Sequence, residues 1–496
     1  MEYIDIVKDI IDNFCFTSTP NSFSNEGAPD HNGEPLSGDP ALVAMPHDFF
    51  SAHLLQANFY RLRKHYKSAV GIRDEWVKSG RTYFHDVNLI NFLRNYKKVE
   101  HVSFEDAMKS DKKVILEMEL HACSMNPKSY ESIKEKFFDK LFLDRDILQK
   151  MRDGKFFIFL YYGFEADDMT VSTKPKDKFK CLYEMFETVL SEYNLPSNSL
   201  FILSSNLNGY EQEKEYNFKK SFVNVIFENA TEFQSFKHIP LGGFSDYTFD
   251  EHIHNMRNSD KRLLRISRTR HPHRDCMLYF LEQNNYIDDS IIEQSGFSGD
   301  YLNGFYSKKE FIDGRGVKDP DIIRKIKEQI PYVASRYEKK YGLSGKHPPN
   351  EAIPFDVYKK TIFSWASLSL PDQLTKVFIN MSTFNPVLHF HPILWLGESN
   401  FIKKFKESGY KSFDWLFDES YDKIVDPNNS SSTGDMPIEK WNIHMKGINK
   451  VMSFDRDYLV NIIIDNRDTL EHNQNLLYKC KSIEKIFRKF HSIVSS

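Results

Sequence analysis

The order of apolar and polar positions along this chain changes character several times, and each change marks an expected element. Ile4, Val7, Ile10, Ile11 and Phe14 recur at the spacing of one helix face, which predicts an amphipathic helix over residues 2–14. Residues 17–47 lose that period and are rich in Ser, Asn, Pro and Gly, so a long loop or arm is expected there. Helical spacing returns over 48–100, through AHLLQANFYRLRKHY and VNLINFLRNY. From about residue 110 strand-like and helix-like segments alternate. KKVILEMEL (112–120) reads as a strand, and KFFIFLYYGFE (155–165) is an apolar run of the kind a doubly covered parallel strand shows. FKCLYEMFETVLSEYNL (179–195) sets Leu182, Phe186, Val189 and Leu190 on one helix face, and SLFILSSN (199–206) and FVNVIFEN (222–229) read as strands.

A second series begins near residue 261. RLLRIS (262–267) is strand-like, RTRHPHR (268–274) a loop, and DCMLYFLEQNNYI (275–287) the helix that follows. A helix over 319–341 should kink at Pro331. KTIFSWASLSL (360–370) and PVLHFHPILWLG (386–397) continue the strands, followed by the helix SNFIKKFKESG (399–409). Residues 426–437 read as an exposed loop, and 454–493 as helix with a strongly polar face. This alternation predicts an α/β protein with two Rossmann-like domains facing a cleft. The expected division is a helical N-terminal extension over 1–105 carrying the arm 17–47, one domain over 106–260 and another over 261–496.

Composition narrows the classes. Lys and Arg number 66 against 70 Asp and Glu, a net charge of −4, which disfavours non-specific polyanion binding by the whole surface. With 42 Phe and 25 Tyr but only 21 Gly, the chain is aromatic-rich, and no Gly-rich phosphate loop is present. Its five cysteines are scattered and include no CxxC pair, which suits a reducing compartment. The N-terminus lacks a basic, apolar leader, and the longest apolar run, Phe156 to Phe164, is about half of a membrane span. A soluble, cytoplasmic protein with no membrane insertion is expected.

Candidate chemistry concentrates in a few segments. In the loop Arg268-Thr-Arg270-His271-Pro-His273-Arg274, guanidinium groups meet the start of a helix, a combination suited to a phosphate or diphosphate. The bland alternative is a basic surface turn. Glu165, Asp167 and Asp168 follow an apolar strand, where an acid is placed either to deprotonate an acceptor hydroxyl or to cap the next turn. The pairs His252/His254, His271/His273 and His389/His391 would each share a strand face and suit two metal ligands, although no committed metal motif accompanies them. LFDESYDKIVDP (416–427) gathers acids around Tyr421, suited to a sugar or ribose, or simply to capping.

These segments carry a resemblance. The stretch from VFINMSTFNPVLHFHPILWLG to FIKKFKESGYKSFDWLFDESYDKIVDP resembles glycosyltransferase-like proteins of tailed phages and large DNA viruses, through Thr383, Pro386, His391, Pro392, Gly409, Phe413 and the run Asp418 to Asp422. Arg270, Pro272, His273 and Arg274 look like that family's Arg-x-Arg-Pro-His-Arg segment, the turn in LSEYNLPSNSLFILSSNLN is similar to its Ser-Gly-Asn-like turn, and His472-Asn473 also fits. The likeness covers roughly residues 110–480 and implies a GT-B fold, with an N-terminal acceptor domain and a C-terminal nucleotide-sugar domain. It implies metal-independent transfer, no cofactor beyond the nucleotide-sugar substrate, and an acceptor that is a glycan, a protein or a modified nucleic-acid base. A viral protein would act in the host cytoplasm. The donor is expected at Arg268, Arg270, His273, Arg274, Ser382, Thr383, Asn385, Glu419 and Tyr421, with the base among Glu165, Asp167 and Asp168.

The chain also departs from that pattern. The family's Glu-Lys is Met381-Ser382 here, its later Lys is Asn385, and Ala366 to Ser369 lacks an upstream acid. Losing such charge-assisted contacts costs roughly 1.5–3 kcal/mol each. The alternatives are therefore a catalytically decayed binding or assembly module and, from the His-x-His pairs, a metal-dependent enzyme.

Overall fold

The computed structural model describes residues 104–120, 130–162, 178–215, 224–229, 248–267, 272–294, 355–367, 381–424, 438–479 and 481–495, together with 12–18, 44–46 and a few neighbouring positions. The expected helices over 48–100 and 319–341 and the loop 426–437 lie outside them. The chain divides into two compact units: residues 1–66, 83–230 and 481–496 in the first, and 67–82 and 231–480 in the second. The division thus falls at 230/231 instead of 260/261, and the C-terminal segment belongs to the first unit.

Unit 1 is built on five parallel strands in the order β1-β3-β4-β5-β6: Phe14–Ser18, Lys113–Leu120, Phe156–Tyr162, Leu200–Ser204 and Asn224–Phe227. A short β2, Ala44–Pro46, pairs antiparallel with Met118–Leu120, just beyond the part of β3 that β1 covers. Two expectations change here. Phe14 ends no helix; it starts a strand whose partner, Lys113, lies far along the chain. The arm 17–47 begins inside β1 and contributes β2 to the sheet.

The strands of unit 1 follow one another across the sheet in sequence order. Right-handed crossovers in such an order leave from the same face, so the other face needs a separate cover. On the first face Val114, Leu116, Phe156, Ile158, Leu160, Leu200 and Ile202 pack with helices α1, Arg145–Arg152, and α2, Leu182–Glu192. Helix α3, Gly209–Glu215, connects β5 to β6. On the second face Phe14, Phe157 and Phe201 form a ring cluster with Phe490 of the C-terminal helix, Lys481–Val494. Lys489 and Lys485 of that helix pair with Glu228 at 3.1 and 3.7 Å, and His491 meets Asp9 at 2.8 Å. Among the described residues, many of the chain's aromatics thus lie in the core.

Unit 2 has four parallel strands in the order β10-β9-β7-β8: Ile393–Leu396, Phe363–Ser367, Leu263–Ser267 and Ser290–Gln294. β8 and β9 lie on opposite sides of β7, so the strand order reverses between β7 and β9. Open α/β sheets bind ligands at the carboxyl edge of such a reversal. Its helices are α4, Phe249–Arg257; α5, Pro272–Gln283; α6, Met381–Leu388; α7, Phe401–Glu407; α8, Ile438–Ser453; α9, Arg456–Asp465; and α10, Arg467–Lys479. The C-terminal helix of unit 1 is then α11.

Two boundaries differ from the sequence reading. Helix α5 opens at Pro272, inside the expected loop, because proline's fixed φ and missing N–H suit the first helical position. The stretch 386–397 is not one strand: α6 runs to Leu388, Phe390 turns the chain at φ 60°, and β10 starts only at Ile393. Among the described residues no helix is long and apolar enough to cross a membrane.

Candidate functional site at the carboxyl edge of unit 2

The register pairs Leu263 and Leu264 of β7 with Phe363 and Ser364 of β9, and Leu396 of β10 with Ser367. The last residues of three adjacent strands, Ser267, Ser367 and Leu396, therefore stand level. Helix α5 starts at this edge and carries Arg274 in its first turn. That side chain is buried, with Nε donating to Ser367 Oγ at 2.8 Å and Nη2 to the Ser367 carbonyl at 3.2 Å. Arg265, buried within β7, donates from Nη2 to the Arg274 carbonyl at 2.7 Å. Two buried guanidinium groups thus lie beside the strand reversal, one fixing the backbone of the other. Arg262, at the start of β7, pairs with Asp289 and donates to the Phe454 carbonyl at 2.8 Å, a structural tie at the opposite end of the strand.

Further along the edge, Gly397 and Glu398 follow β10. Lys440 of α8 is completely buried and donates to the Gly397 carbonyl at 2.7 Å, and Glu398 is only 4% exposed. Thr383, in the first turn of α6, is fully buried, and its hydroxyl has no hydrogen-bond partner among the described residues. Asn385 is also buried, and its carbonyl accepts from His389 Nδ1 at 2.6 Å. Ser382 and His273 lie in α6 and α5. Arg268, Arg270, Glu165, Asp167 and Asp168 fall outside the described residues.

Of the two readings of the acid-rich run, its contacts include the capping kind. Asp422 accepts from Ile402 N at 2.9 Å and Lys403 N at 3.1 Å, capping α7. Glu419 accepts from Phe413 N at 3.0 Å and pairs with Lys406 at 3.1 Å. Burial pushes the Glu419 and Asp422 carboxyls above their usual range. Tyr421 is buried, with its ring against His444 at 4.1 Å. Glu419, one of the residues expected at the donor, thus ties Phe413 to Lys406 of α7, and Tyr421 packs on His444 of α8. Asn473 is a further tie, accepting from Lys411 N and donating to its carbonyl, both at 2.7 Å.

Of the histidine pairs, His271/His273 includes a residue outside those described, and the other two are not carried on strands. His252 and His254 sit on helix α4, where i and i+2 diverge, and only His252 is buried. His389 and His391 occupy the turn before β10. His391 Nε2 donates to the Tyr358 carbonyl at 2.9 Å while Nδ1 lies 3.0 Å from Ser364 Oγ, and the His389 ring stacks on Tyr358. His252 joins His391 at 5.5 Å between ring centres. Burial lowers all three, His389 to about 3 and His391 to about 4. No group of three His, Cys, Asp or Glu among the described residues is arranged to hold a metal.

In unit 1, Tyr183 donates to Glu213 at 2.6 Å, and burial raises that carboxyl; Asn206 donates to Gln212 at 2.9 Å beside the end of β5. Sequence reasoning passed over Ser367, Glu398 and Lys440. Glu398 had a readable signal, since an acid directly after an apolar strand is the pattern that singled out Glu165. Ser367 and Lys440 had none: their roles depend on partners 93 and 43 residues away. Comparisons with known protein families, with curated proteins and with solved structures find no match to this chain.

Proposed function

We propose that this chain is a glycosyltransferase of the GT-B type, taking a nucleotide-sugar as donor and a hydroxyl-bearing acceptor, without a metal. The observation that carries this reading is the buried Arg274 at the strand reversal of unit 2, held by Ser367 at the edge where α/β sheets take ligands. A guanidinium fixed there supplies a preorganised positive charge for the departing diphosphate, the role that electrostatic stabilisation demands in group transfer. The first turn of α6, with the Thr383 hydroxyl unpartnered among the described residues, adds a polar group at a helix start.

Calorimetry of the full chain against a panel of nucleotide-sugars tests the reading. Binding to one of them, weakened at least tenfold in Arg274→Ala with the fold retained by circular dichroism, supports it; absence of binding to all of them refutes it. The absence of the family's Glu-Lys pair, replaced here by Met381-Ser382, favours a second reading, a non-catalytic relative that binds a nucleotide-sugar without turning it over. Release of free nucleotide from the bound donor separates the two.

A further inference from the structure

Three buried imidazoles of unit 2 meet at one turn. His389 and His391 flank Phe390, which links α6 to β10, and His252 reaches them from α4. The Phe390 backbone sits at φ 60°, a state that residues other than Gly avoid. Its ring anchors it there, edge-on to Phe249 at 5.5 Å and beside His252 at 5.8 Å between ring centres. His391 lies 5.5 Å from His252 and 5.1 Å from Tyr358, whose ring stacks on His389 at 3.9 Å. The backbone closes the turn, because the Pro386 carbonyl accepts from His389 N at 2.9 Å and from His391 N at 3.0 Å.

The surroundings of this cluster oppose a further proton. A proton on one imidazole makes it a cation beside the others, Lys359 acts on His389 with the same sign, and among the described residues no carboxylate acts on any of the three. Tyr358 and Ser364 offer neutral groups to His391, while Asp250 of α4 is paired with Arg467 of α10 at 2.9 Å.

We propose that this turn is an acid-released latch: protons taken up by His252, His389 and His391 free Phe390 from α4 and open the end of α6 while the sheet of unit 2 stays folded. The turn opens ahead of the sheet because it carries its own backbone strain and is held by ring contacts, not by a strand ladder. Between pH 7.5 and pH 5.5 an exposed imidazole takes up most of a proton that a buried neutral one refuses, which favours the open turn by up to about tenfold for each ring. Helix α6 also carries Thr383 in its first turn, so release loosens the helix whose start the proposed donor phosphate uses; that consequence alone rests on the nucleotide-sugar reading above.

Native-state hydrogen exchange of the full chain, at about pH 7.5 and about pH 5.5 in low urea, tests the latch without any ligand. Protection of the amides of residues 387–391, corrected for the intrinsic pH dependence of exchange, should fall about a hundredfold at the lower pH, through an opening that low urea barely changes. Amides of β7 should instead exchange with the urea dependence of global unfolding. His252→Gln, on a separate helix, should shrink the pH effect at the turn by about five- to tenfold. Two wild-type results overturn the proposal without any variant: a change at the turn of less than about fivefold, or a turn whose urea dependence at the lower pH equals that of β7. Failure of wild type to bind any nucleotide-sugar overturns the functional reading and leaves these exchange rates as they are, so the two failures are distinct.

Discussion

Unit 2 buries four imidazoles, at His252, His389, His391 and His444, and burial lowers the pKa of each. The perturbation is acid. An unfolded histidine titrates near pH 6.5, whereas these remain neutral in the fold well below that, so the unfolded state binds more protons and stability falls with pH. The contribution is fully present above the unfolded value and is lost as pH falls toward the depressed folded values, about 4 for His391 and about 3 for His389. From about pH 7.5 to about pH 5.5 each imidazole that stays neutral removes roughly 1 kcal/mol, and the four together several kcal/mol, a large part of a domain's stability. Glu419 and Asp422, whose carboxyls burial raises, act with the opposite sign: they return stability as pH falls through their folded values, so the slope from the imidazoles is read against Glu419→Gln and Asp422→Asn backgrounds. Urea unfolding of the full chain at closely spaced pH values, followed by the Trp fluorescence of unit 2, measures the slope. A total loss below about 1 kcal/mol over the interval, equivalent to one imidazole, would refute the buried-neutral assignment. His391→Gln should reduce the slope by about one proton.

Three further outcomes follow from local geometry. A Cβ on Gly209 would lie 2.0 Å from the Phe227 ring, so Gly209→Ala should destabilise unit 1 by about 1–3 kcal/mol in urea titration, with relief in the Phe227→Leu background. Phe490→Ala removes the aromatic that closes the second face of the unit 1 sheet and should cost about 3–5 kcal/mol, with increased dye binding by exposed apolar surface as a second readout. Asp422→Asn leaves one acceptor oxygen for the two N–H groups that Asp422 caps and removes a charge that burial disfavours; these oppose each other, so a change of less than about 1 kcal/mol is expected by thermal unfolding, and nucleotide binding should be unchanged.

Much of the fold was legible because its strands are long apolar runs: β3, β4, β5 and β7 each lie within a segment that reads as a strand from sequence. β1 was hidden because Phe14 also continues a helical spacing, and the partner that decides the matter, Lys113, is distant in sequence. β8, with only Ile291 and Ile292 at its centre, is too short and polar to stand out. The run 386–397 is apolar throughout, so the end of α6 and the start of β10 carry no contrast in hydrophobicity; the turn at Phe390 sets them. Arg274 stood out for a local reason, a basic run that follows a strand and opens a helix. The histidines misled because i and i+2 share a face only on a strand, and the contact that forms, His252 with His391, joins two separate pairs.

The placement of the acid-rich run bears on where a phosphate can bind. Helices α5, α6 and α7 each follow a strand of unit 2, so each begins at the carboxyl edge with backbone N–H groups that favour an anion. At α7 that anion is already supplied, because the Asp422 carboxylate accepts from Ile402 and Lys403. A ligand phosphate at α7 would displace a buried carboxylate and meet its charge. The starts of α5 and α6 differ: one carries the Arg274 guanidinium, and the other the Thr383 hydroxyl, which has no hydrogen-bond partner among the described residues. The motif that looks most like a sugar-binding cluster in the sequence therefore closes one helix start, which leaves the starts of α5 and α6 for the phosphate of the proposed donor. If Asp422→Asn were instead to abolish nucleotide binding while the fold persists, the assignment of the phosphate to α5 and α6 would be wrong.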